Sequence, residues 1–139
     1  MADDFEEGAF NSNGIEVTAD GDLIIVSQGL LYLVDPEEGS SIRIDLGPDV
    51  VLEGGDGLAF TSDNSKLLCA GNFSGVLYAV ALANDNLSGT VTSATSPLLR
   101  IGTTVVEYND LAYIVNARFD LRSEAAQLAY EVIELEVPE

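Results

Sequence analysis

The chain contains no histidine and no tryptophan, a single cysteine (Cys69), and only 5 Lys and Arg against 24 Asp and Glu. Without histidine there can be no Ser-His-Asp or Cys-His catalytic arrangement, and the usual imidazole ligands of zinc are missing. One cysteine excludes an internal disulfide and a thiolate metal cluster. Cys69 lies in the apolar run Leu67-Leu68-Cys69-Ala70-Gly71 and reads as a small core residue. Any chemistry therefore falls to carboxylates, amides, hydroxyls or an ion held by oxygen.

The shortage of basic residues leaves a formal charge of −19. Phosphate would be repelled, so nucleic acid and anionic membrane are not expected as partners. Cations are the natural counterpart, although the same bias also serves solubility or adaptation to salt. The chain has no long apolar run of the roughly 20 residues that a spanning helix needs. Met1–Phe10 has neither a basic start nor the apolar stretch of a signal peptide, and a cytoplasmic location is expected. What is present is globular: 139 residues, 47% of them hydrophobic, enough for one domain with a core.

The chain repeats itself. Asn13-Gly14-Ile15 aligns with Asp56-Gly57-Leu58, bringing Thr18 over Thr61 and Asp20 over Asp63, and the run at 30–35 then matches the run at 76–81. A third, weaker copy places Thr103 where Asn13 and Asp56 stand, with residues 129–135 matching the later run. Periods of this length signal solenoids or propellers. Each unit holds short runs of Ile, Val, Leu, Tyr and Thr punctuated by Gly, Asp, Asn and Ser, the pattern of strands and tight turns. Strands are expected near residues 14–18, 23–27, 30–35 and 41–46, then 57–61, 66–70, 75–82 and 89–94, and finally 104–108, 111–116 and 130–137. A short helix is expected at 121–129, with Ser123 as its cap.

The expected fold is all-β and β-propeller-like, with three four-stranded blades at about 10–47, 48–99 and 100–139. Residues 1–9 form an acidic segment that can supply a closing strand. Three blades cannot close a ring, since propellers use about four to eight, and an unclosed set leaves unpaired edges. Two copies forming a homodimeric six-bladed ring, or a complementary half-propeller, would resolve this.

The runs at 10–26, 31–39, 54–60, 72–80, 88–91 and 103–120, taken in order, resemble the C-terminal half of the gluconolactonase/regucalcin-like family of six-bladed propellers. That resemblance implies a divalent cation at the mouth of the central channel, with Asn13 and Asp56 as metal ligands and Asp56 also as the catalytic base. Oxygen donors of this kind suit Ca²⁺ first, with Mg²⁺, Mn²⁺ or Zn²⁺ as alternatives. The implied reaction is hydrolysis of a small-molecule lactone or ester, and Thr103, Asn116 and Arg118 are the substrate-binding residues it suggests. The family's other ligands come from an N-terminal half that has no counterpart here. Other readings stay open for each position: Asn-Gly and Asp-Gly also shape tight turns, Thr103 is an ordinary strand former, and Arg118 can pair with a surface carboxylate. A non-catalytic structural or interaction module is the rival function.

Overall fold

Short apolar runs separated by turn residues form the strands, and burial alternates along several of them, so each such strand offers one face to a neighbouring layer. The computed structural model describes Glu7, residues 11–121 and residues 129–139. Among these residues there are eleven strands: β1 Ser12–Val17, β2 Leu23–Ser27, β3 Leu30–Val34, β4 Ser41–Arg43, β5 Gly55–Phe60, β6 Leu67–Gly71, β7 Val76–Leu82, β8 Gly89–Thr95, β9 Gly102–Tyr108, β10 Leu111–Asn116 and β11 Glu131–Glu136. They form three antiparallel meanders, ordered β1-β2-β3-β4, β5-β6-β7-β8 and β9-β10-β11. The described residues contain no α-helix, and none is long and apolar enough to cross a membrane. Most of the expected helix, and the expected closing strand apart from Glu7, lie outside the described residues. The third sheet thus shows three strands where four were expected.

Tight turns hold the strands in register. The β2–β3 loop is two residues, Gln28 and Gly29, both at positive φ (51° and 77°), and Asn109 and Asp110 (54° and 64°) do the same between β9 and β10. Two consecutive left-handed residues give the turn whose twist matches that of the flanking strands. In the β5–β6 loop, the Thr61 hydroxyl donates to Asp63 Oδ1 (2.8 Å) and the Ser65 amide donates to the same oxygen (2.9 Å). These bonds pull the Asp63 carboxyl down to about 2, because they favour its charged form.

The sheets stack through their faces. Between the first and second, Ile24, Val26, Leu31 and Ile44 pack against Leu58, Leu67, Cys69 and Val80. Between the second and third, Leu68, Ala70, Leu77 and Ala79 pack against Val105, Ala112, Ile114 and Ile133. The innermost strands touch in sequence, β1 on β5 and β5 on β9. At the periphery a parallel bridge joins Asp45 to Ser88, with the Asp45 amide donating to the Leu87 carbonyl (2.9 Å).

The first strand of each unit carries an irregularity at one repeated place. Register shifts fall between Ser12 and Ile15 in β1 and between Gly55 and Leu58 in β5. In the β9–β10 pair, Thr103 is the residue skipped, since Thr104 pairs with Val115 and Gly102 with Asn116. Such bulges re-aim side chains. Asn13-Gly14 and Asp56-Gly57 therefore sit inside strands, and the inner strands begin two residues earlier than expected. The glycines serve close approach: a Cβ on Gly14 would lie 2.0 Å from the Asp56 carbonyl oxygen, and one on Gly57 would lie 2.6 Å from Thr104 Cα.

Candidate functional site

The bulges aim Asn13 and Asp56 toward one end of the stacked sheets, where β1 and β5 begin and β2 and β6 end. Asp56 is half-buried there. The Asn72 Nδ2 group, from the loop after β6, donates to Asp56 Oδ2, and the Asn13 amide also bonds this carboxylate. Desolvation raises the Asp56 pKa above the usual carboxylate value, while the bonds from Asn72 and then Asn13 partly oppose it. No lysine or arginine is among the residues that line this cavity. Asn72 is held by its own backbone, whose amide donates to the Gly54 carbonyl (2.7 Å), and its side-chain oxygen is buried without a hydrogen-bond partner.

These groups edge a cavity of about 390 Å³. Its polar lining includes Asn13, Asp56, Asn72 and Glu53, and its apolar lining comes from Val51, Phe73 and Phe119. Phe73 and Phe119 are 71% and 60% exposed, unusual for side chains of this size unless the surface has a use. The arrangement combines a carboxylate of raised basicity, two amides that orient it and an apolar rim. Chemically it can accept a proton, or offer oxygen donors to a hard cation.

Asn13 and Asp56 are thus brought together. Thr103, Asn116 and Arg118 are not among the residues lining this cavity. The Thr103 carbonyl instead faces Gly57. Asn116 is fully buried; its side-chain oxygen accepts from the Arg100 amide (3.2 Å) and its Nδ2 donates to the Leu98 carbonyl (2.8 Å), tying the 98–100 loop to β10. Arg118 Nη1 bonds Glu131 Oε2 at 2.8 Å, and its Nε lies 4.0 Å from Asp120 Oδ1. This is the surface pairing that its many acidic neighbours in sequence suggested. The sequence pattern did not point to Asn72, Phe73, Glu53, Val51 or Phe119 as residues of this cavity. The available signal for Asn72 was its place after Gly71, at the mouth end of β6.

Comparison with known proteins supports the architecture. No family model matches the chain, and no curated protein matches it by sequence. Among solved structures, a Bacteroides caccae protein of unknown function matches with a TM-score of 0.67 at 13% identity, over 95% of this chain and 48% of that one. A catalytically inactive virginiamycin B lyase from Staphylococcus aureus, solved with quinupristin, matches at 0.61 and 15%, over 97% and 44%. The PQQ-bound aldose sugar dehydrogenase of Streptomyces coelicolor matches at 0.58 and 16%, over 91% and 43%. These neighbours are β-propellers, and the chain is a partial propeller. It spans less than half the length of each of the three.

Proposed function

We propose that this end of the molecule is the working site of a divalent-cation-binding, lactonase-like hydrolase of the gluconolactonase/regucalcin type. The observation that carries the reading is the meeting of Asn13, Asp56 and Asn72 at a cavity mouth, with Asp56 raised in pKa by desolvation and lacking a basic partner. A partly desolvated carboxylate is costly without a cation beside it. The donor set is all oxygen, and the Asn72 oxygen, without a partner among the described residues, adds an acceptor. This fits Ca²⁺, Mg²⁺ or Mn²⁺ better than zinc, whose preferred nitrogen and sulfur ligands are absent. Asp56 and Asn13 would hold the ion, with Asn72 and Glu53 in reach of the same cavity.

When bound, such an ion polarises a lactone or ester carbonyl. The chain's own residues supply the remainder. Asp56 takes a proton from the attacking water. Asn13 and Asn72 fix the orientation of that carboxylate, and Phe73, Phe119 and Val51 keep bulk water from one side of the substrate. The apolar rim favours a lactone or ester with an apolar substituent.

A second reading, a non-catalytic interaction module, draws on a different observation. Among the described residues no three carboxylates or thiols gather to hold a metal, and one chain offers fewer donors than the six to eight that Ca²⁺ takes. Hydrolysis of a set of aliphatic and sugar lactones, assayed with calcium and with chelator, separates the two. The hydrolase reading expects turnover that chelator abolishes and that Asp56→Asn lowers by at least about 100-fold. Turnover absent across the set, or unaffected by Asp56→Asn, contradicts it.

A further inference from the structure

We propose that two copies of this chain close one six-bladed ring, the outer face of the first sheet of each copy packing on the outer face of the third sheet of the other. The repeat itself supplies the comparison. Leu58 and Val105 stand one residue after Gly57 and Thr104, point back at the preceding sheet, and are 7% and 6% exposed. Ile15 holds the same repeat position in the first sheet, where no sheet precedes it among the described residues, and is 55% exposed; Val17, two residues on, is 53% exposed, while Tyr32, farther out on the same face, is buried. At the opposite end Val106, Tyr108 and Val132 are 56%, 65% and 60% exposed. Val106 pairs across β10 with Tyr113, and Val132 with Val115, so these side chains share one face, turned away from the second sheet.

The two faces are the two halves of the kind of junction that the chain already builds twice within itself. Their charges are complementary. Arg43, in register with Tyr32 and Ile25, lies on the first face; Glu134 and Glu136, in register with Tyr113 and Leu111, lie on the third. The propellers of similar structure are about twice as long as this chain, which covers 41–48% of them, and two copies together match that length. A two-fold axis along the ring makes both new junctions identical and leaves no open sheet face. Thr104 occupies the place of Gly14 and Gly57, so these junctions are wider than the two within the chain, and Val106 and Tyr108 fill the difference. Closure also brings the second copy's Asn13 and Asp56 to the same mouth, doubling a donor set that one chain leaves short of a calcium shell.

Light scattering on the whole chain, in calcium and in chelator, tests this. The expected mass is twice 14.7 kDa in both; a dimer confined to calcium also supports closure and places the ion on the shared axis. Ile15→Glu and Val106→Glu should each give a monomer that keeps the parent's far-ultraviolet β spectrum, because both positions are exposed in a single copy. A monomeric parent, an open-ended polymer, or a dimer indifferent to both substitutions overturns the proposal. Where the dimer also forms in chelator, Asp56→Asn should leave it intact, so failure of the ion site and failure of ring closure give different results.

Discussion

Placing a methyl group on Gly14 strikes the junction between the first two sheets at its closest point. The added Cβ would stand 2.0 Å from the Asp56 carbonyl oxygen and 2.9 Å from the Leu58 amide nitrogen. Contacts between non-bonded heavy atoms are favourable near 3.5–4.0 Å, so β1 and β5 must separate by roughly an ångström or more. Overpacking of this kind costs about 1–3 kcal/mol, and the upper end applies because both obstructing atoms are backbone. Loss of glycine's freedom in the unfolded chain returns about 0.4–1 kcal/mol, which leaves Gly14→Ala about 2 kcal/mol less stable. Unfolding entropy of about 2.1 cal/mol/K per residue, over 139 residues, converts this to a fall in Tm of about 7 °C. Thr104→Ala is the matched change on the third sheet, where the same repeat position is exposed in a single copy and the proposed junction is wide; its cost is one of strand propensity, below about 1 kcal/mol. Thermal melts followed by circular dichroism measure both. A Gly14→Ala protein melting within 1 °C of the parent, or Thr104→Ala falling further than Gly14→Ala, would refute the assignment of the glycines to sheet contact.

Acid sensitivity should report the Asp63 turn. Its folded pKa of about 2 lies below the ordinary carboxylate value of 3.8, so its contribution to stability is present above pH 4 and is lost as pH falls from about 4 through 2. Asp63→Asn should flatten the dependence of Tm on pH in that window, and an unchanged slope would count against the hydrogen bonds described. Cys69, buried between the first two sheets with its thiol pushed up to about 12 by desolvation, should not react with a thiol reagent at pH 8 until the chain unfolds. Rapid labelling of the native protein would show that the second sheet opens locally.

Much of the architecture was legible because it rests on spacing. The strands β2 and β10 occupy the expected residues, and the equivalence of Asn13, Asp56 and Thr103 reappears as three bulges at one place in the fold. What spacing did not convey was the use of Asn-Gly and Asp-Gly. The same dipeptides that open a turn can form a bulge when another backbone must approach, and only the neighbouring sheet decides between them. Asn72 was hidden for a related reason. Its partner Asp56 is 16 residues away on an adjacent strand, and a turn asparagine carries no mark of a long-range bond. Asn116 shows the converse, since an amide near the expected channel reads as substrate-binding until the loop it secures at residues 98–100 is known.

In the proposed function Asp56 is the carboxylate that meets the cation. Calorimetric titration of the whole protein with calcium, beside Asp56→Asn and with magnesium in parallel, tests this most directly. Saturable calcium binding by the parent, lost in Asp56→Asn while the fold is retained, is the predicted result. Equal heats for the two proteins, or none for either ion, would contradict it.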